Sequence, residues 1–180
     1  MGIGFMIVYK FLRWGRCCAG TAAIEFSLLA IPFVTLVIGI IEISLMNATA
    51  TLIQGATMEA SRLIRTGQVQ QTGGDPEQMF KDAVCDYAWP LVNCANLQYD
   101  VQKLDSFSAA NTTPDVDDEG NMQNTSFDPG GSSDVVMIRV AYNYPLITPL
   151  IGRFFSNTTN NTRFFMSTIV LETEPYEFGG

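Results

Sequence analysis

The stretch Cys17–Ser44, CCAGTAAIEFSLLAIPFVTLVIGIIEIS, decides how the rest of the chain folds. Within it, Phe26–Ile41 is a run of 16 residues without a charge. Extended by Thr21–Ile24 before it and Ile43–Met46 after it, the segment is long enough to cross a bilayer as a helix. A buried core helix is the alternative, but a chain of 180 residues has little with which to cover so long an apolar cylinder on every side. The charges before Gly20 are Lys10, Arg13 and Arg16, all basic. The positive-inside rule therefore puts residues 1–20 in the cytoplasm and everything after about Met46 outside it. A conventional cleaved signal peptide fits poorly, because its small-residue site should follow the apolar run, whereas Ala19-Gly20 precedes it. Nor does an apolar segment lead directly into Cys17 and Cys18, as a lipoprotein signal would require.

Beyond the apolar run the pattern becomes amphipathic. Residues 21–66 read as one helix, with Leu45, Leu52, Ala56, Ala60 and Leu63 as the stripe to be buried and Asn47, Thr51, Gln54, Arg62 and Arg65 on other faces. Gly67 supplies the stop, and Asp75-Pro76 caps a second helix running to about Ala88. The period then switches to two: Leu97–Gln102, Asp134–Tyr144 and Arg163–Glu172 read as three strands of an antiparallel sheet with one face on the helix. Residues 106–133 are a polar connection expected to be mobile. Tyr144–Phe155 is apolar but broken by prolines, so it is not a continuous strand; it marks either a contact surface or packing under the sheet. The fold class expected is α+β.

Several chemistries are excluded or weakened by composition. Seven basic residues against 18 acidic follow Gly20, which argues against nucleic-acid binding. The absence of histidine removes the commonest general base and metal ligand. Asp115-Val116-Asp117-Asp118-Glu119-Gly120 loosely resembles a calcium loop, yet the twelfth position is Ser126 where a bidentate glutamate is wanted; a solvated acidic loop is the better reading. No catalytic residues, metal site or cofactor are expected, and no enzyme activity. Cys85 and Cys94, outside the cytoplasm and this close, are expected to form a structural disulfide.

Glu25 is the anomaly, a carboxylate at the edge of an apolar segment. It sits five residues after Gly20, in GTAAIEF. Here the chain resembles the TadE-like pseudopilins of the tight-adherence (Tad, Flp-type) pilus, within the type IV pilin superfamily. GTAAIEF, the Pro32-containing apolar run, the continuation MEASRLIRTGQ and the closing ETEPYEF carry the resemblance, which covers the N-terminal third well. A departure is the leader of 20 residues, whose own start, Met1–Tyr9, is apolar.

The resemblance implies a pilin-like lollipop: a leader over 1–20 removed by a prepilin peptidase between Gly20 and Thr21, a transmembrane and assembly helix over 21–46, and a periplasmic domain over 47–180. It implies that Glu25, with Phe26 beside it, pairs between subunits, the carboxylate meeting the α-amine of a neighbour. A buried pair of this kind sets register more than it stabilises, since either charge left alone costs several kcal/mol. The partners implied are other Tad pilins and pseudopilins, the inner-membrane assembly platform and membrane lipid. The expected role is that of a minor pseudopilin of the bacterial inner membrane, with a cytoplasmic N-terminus and its domain in the periplasm, priming, capping or joining the pilus. A signal-anchored periplasmic binding or sensor module with an uncleaved tether is the rival; it would keep residues 1–20 and be indifferent to Glu25.

Overall fold

In the computed structural model, residues 20–175 are described. The leader expected over residues 1–20 therefore lies outside the described residues except for Gly20. A single helix, α1 (Thr21–Arg65), opens the described chain and contains Pro32. It passes through a boundary between two compact units, which divide between Ile41 and Glu42.

The first unit contains the part of α1 from Thr21 to Ile41. Large apolar side chains there are exposed on all sides, among them Phe26, Leu29, Ile31, Phe33, Leu36 and Ile40. By length and composition this helix can cross a membrane. Its hydroxyls are already bonded within the helix: Ser27 Oγ donates to the Ile24 carbonyl and Thr35 Oγ1 to the Ile31 carbonyl, each at 2.9 Å. That leaves these two hydroxyls satisfied without water, as hydrocarbon demands.

The second unit begins at Glu42. From there α1 buries Met46, Thr49, Ile53, Ala56, Thr57, Ala60, Ser61 and Ile64. The spacing alternates between three and four residues, the repeat of one helix face. This corrects the stripe expected from sequence: Ala56 and Ala60 belong to it, but Leu45 is exposed and Leu52 and Leu63 lie on the flank. The reason is size. Thr49, Ala56, Thr57, Ala60 and Ser61 let the helix backbone approach its neighbours, and Met46, Ile53 and Ile64 fill the gaps between. Gly67, at φ +74°, ends the helix; its N–H bonds the Ile64 carbonyl and that of Gln68 the Leu63 carbonyl, the paired bonds of a Schellman stop.

Helix α2 (Pro76–Ala88) is capped by the Asp75 carboxylate, which accepts from the Glu77 N–H, with Pro76 at the first position. Phe80, Val84 and Ala88 face the core, and Tyr87 crosses Gly55 so closely that a Cβ there would strike its ring. Strands β1 (Leu97–Leu104), β2 (Val135–Pro145) and β3 (Thr162–Glu172) form an antiparallel sheet in the order β1-β2-β3. Val136, Ile138, Val140, Tyr142 and Tyr144 alternate onto the helix side and join the core. The sheet thus packs on the second half of α1, and the α+β fold expected from sequence is present.

The other face of the sheet is covered too. Met137, Arg139 and Ala141 are buried there, under residues 106–133. That connection is tied down rather than loose, contrary to expectation. Arg139 donates to Thr112, Gln98 and Asn143 donate to the Gly120 carbonyl, and Asp100 accepts from the Ser126 N–H. Residues 126–128 then bond along the outer edge of β1, Val101 N–H to Ser126 O at 2.8 Å and Asp128 N–H to Val101 O at 2.7 Å. Asp100 and Arg139 face each other across β1 and β2 as an ion pair at 3.4 Å, each side chain 6% exposed. Tyr144–Phe155 is also resolved by the fold: β2 continues to Pro145, and a short helix α3 (Pro149–Phe155) follows.

Candidate assembly interface

The residues singled out by sequence lie at the start of α1. Gly20 is exposed and immediately precedes the first helical residue, Thr21. Glu25 is exposed one helical turn further on, and within the described residues its side chain has no hydrogen bond or ion pair. Phe26 beside it is 74% exposed. Thr21 and Glu25 are four residues apart and so share a face of the helix. Among the described residues, then, a carboxylate and a bare aromatic face outward at the head of α1 with no other side chain packed against them.

Cys85 and Cys94 form a disulfide, with Cα atoms 5.5 Å apart. It closes the turn between α2 and the 3₁₀ turn Cys94–Asn96 that leads into β1. The bridge keeps the α2 exit beside the first strand, well along the chain from Glu25.

The acidic loop has its own internal use. Asp117 accepts from the backbone N–H groups of Glu119 and Asn121 and from the side chains of Asn121 and Gln123. These donors, Asn121 foremost, hold the Asp117 carboxyl below the usual carboxylate range. Its oxygens are thus occupied by the turn they organise. Among the described residues no three His, Cys, Asp or Glu side chains gather as a metal site.

Glu42 is the residue that sequence reading passed over. It is 4% exposed, and its Oε1 accepts from the Ile147 N–H at 2.6 Å and the Thr148 N–H at 3.1 Å. Oε2 also receives the Thr148 N–H at 3.1 Å. A buried carboxylate is tolerable when backbone donors surround it, and here they come from the turn that starts α3. Burial, and then the charge of Glu42, push the Tyr144 hydroxyl above its ordinary pKa. The sequence signal was available: GIIEIS places Glu42 among isoleucines with no basic residue within helical reach, the same anomaly that drew attention to Glu25.

Comparison with known families matches residues 20–62 to the TadE-like protein family, consistent with a TadE-like protein of the Tad pilus system. The match begins at Gly20, contains Glu25 and Glu42, and ends in the packed half of α1. The family implies involvement in that pilus system, in a structural rather than enzymatic capacity and alongside other pilus components. Comparisons with curated proteins and with solved structures found no match.

Proposed function

We propose that this chain is a minor pseudopilin of a Tad pilus, needed for assembly, initiation or adhesion through contacts between subunits. The observation that carries the reading is the conjunction at the head of α1: the family match starts at Gly20, and Glu25 stands exposed on an apolar helix with no side-chain partner among the described residues. In this reading the prepilin peptidase cuts between Gly20 and Thr21, and the freed α-amine of one subunit meets Glu25 of the next. Phe26 packs in the same helix–helix contact. An ionised carboxylate in a helix within hydrocarbon costs roughly 2.5–3.5 kcal/mol on insertion scales. That cost makes Glu25 selective for a neighbour carrying an amine in register.

Thr21–Ile41 spans about 30 Å at 1.5 Å per residue, the thickness of the hydrocarbon layer. Residues 21–46 then serve as the transmembrane and assembly helix, with Glu42–Met46 passing through the headgroup layer. The N-terminus is cytoplasmic, and residues 47–180 form the periplasmic domain, where the Cys85–Cys94 bridge persists. The inner-membrane assembly platform and other Tad pilins are the partners.

N-terminal sequencing of the protein purified from its native host tests the reading. A terminus at Thr21 is expected, along with loss of pilus assembly in Glu25→Ala at unchanged protein level. An intact Met1 in cells that hold the peptidase overturns it and leaves the uncleaved tether.

A further inference from the structure

The segment Leu146–Phe155 has an uneven distribution of apolar side chains. Leu146 is buried, and Ile151 and Phe155 pack against the core. Ile147 and Phe154, in contrast, are 78% and 77% exposed, and Arg153 is exposed beside Phe154. Among the described residues neither side chain belongs to the core or packs against it. Their location is fixed by Glu42, whose carboxylate holds the N–H groups of Ile147 and Thr148. Glu42 directly follows the last residue of the bare apolar helix. Ile147 is therefore tied by its backbone to the first residue of the packed unit, 2.6 Å from the Glu42 carboxylate. Leu45, three residues after Glu42 on α1, is exposed as well.

Charge points the same way. The domain is strongly acidic, yet Val135–Leu171 contains no Asp or Glu and three arginines, Arg139, Arg153 and Arg163. Arg139 is consumed by its buried pair with Asp100. Arg153 remains exposed next to Phe154, the pairing of basic head and apolar body that suits a headgroup layer with anionic lipid.

We propose that Ile147, Phe154 and Arg153 form a foot that enters the lipid interface, and that Glu42 is the positioning residue that latches it at that depth. The inference rests on the membrane-anchored reading above. Two apolar side chains at the acyl boundary and one guanidinium among the headgroups would limit how the domain tilts on the α1 span. The foot would also have to leave the lipid whenever the subunit is extracted.

The test uses the full chain with Trp14→Phe and Trp89→Phe, reconstituted in phosphatidylcholine–phosphatidylglycerol vesicles containing acyl-brominated lipid. Single tryptophans are placed by Phe33→Trp in the span, by Ile147→Trp or Phe154→Trp in the foot, and by Gln68→Trp in the turn just past the end of α1, an end about 35 Å beyond Glu42 along the helix axis. Bromine should quench positions 33, 147 and 154 and spare position 68. Quenching at 33 with emission at 147 and 154 like that at 68 overturns the foot while sparing the membrane reading. Failure to quench at 33 overturns both. A blue shift at 147 and 154 that ignores bromine and rises with the protein-to-lipid ratio makes the face a subunit contact and overturns the foot. Glu42→Ala should weaken quenching at 154 and leave 33 unchanged; undiminished quenching at 154 overturns the latch.

Discussion

From Thr21 to Ile41 helix α1 leaves Phe, Leu and Ile side chains uncovered on every side, while from Glu42 to Arg65 it buries one face built largely of Thr, Ala and Ser. The backbone is continuous through both. The difference shows that side-chain size, as much as apolarity, separates a helix made for lipid from one made for a sheet. Lipid chains conform to bulky residues, so a membrane segment can carry them all round. A sheet with Val136, Ile138 and Val140 already standing on it leaves room for a backbone only if the facing residues are small.

The largest expected contrast comes from truncation. Ile53→Ala should destabilise the folded unit by about 2–5 kcal/mol, because it opens a cavity at a fully buried site. Phe33→Ala, in the bare half, should change the same unfolding transition by less than about 0.5 kcal/mol. Denaturant unfolding of the full chain in micelles, read at the tertiary signal, measures both. Equal losses would erase the distinction between the halves. Next in size, Cys85→Ser with Cys94→Ser should remove about 2–3 kcal/mol from that transition by freeing a short loop in the unfolded chain. The helical signal of Thr21–Ile41 should survive it, since the bridge lies wholly in the other unit.

A converse pair probes room rather than contact. Ala60→Leu should cost about 1–3 kcal/mol by overpacking a fully buried position. Ala23→Leu, exposed near the start of α1, should be neutral for the folded unit. If Ala60→Leu were tolerated equally well, the small-residue face would not be what brings helix and sheet together.

Much of this architecture was legible locally. Asp75-Pro76 and Gly67 mark helix ends by backbone chemistry alone, and the alternation around Leu97, Val136 and Phe165 marks strands. The burial stripe of α1 is not legible in this way, because hydrophobicity favours the leucines whereas the partner, a β-branched sheet face, favours the smaller alanines. The connection 106–133 is not legible for a different reason. Its polarity reads as solvation, but much of it is directed at polar groups on the far face of the sheet, Gln98, Asp100, Arg139 and Asn143. Those pairings span 22 to 27 residues, beyond any local window. Glu42 likewise finds its donors 105 and 106 residues away, so sequence could flag its cost and not its partners.

The smallest expected effect separates the two halves by acid. Asp134 accepts from Lys103 Nζ at 2.8 Å and from the Gly131 N–H at 2.6 Å, and Lys103 first holds its carboxyl below the usual range. A depressed folded pKa gives stability that is present above the unfolded value of about 3.9 and is lost as pH falls through the folded value. On the alkaline side, burial and then Asp82 push Tyr99 up to about 12, and Asp134 raises Lys103. Both of those contributions are full below the unfolded pKa values near 10 and fade as pH rises through the folded ones. The tertiary melting temperature should therefore be level between about pH 5 and 9 and fall on either side. Asp134→Asn should flatten part of the acid limb, by little, because Lys103 is nearly half exposed and water screens the pair. The bare half of α1 holds one carboxylate, Glu25, with no ion pair among the described residues, so its helical circular-dichroism signal should persist at pH 2.5 after the tertiary signal has gone. Simultaneous loss of both signals would mean that the two halves unfold as one body, and that the boundary at Ile41–Glu42 is no boundary in free energy.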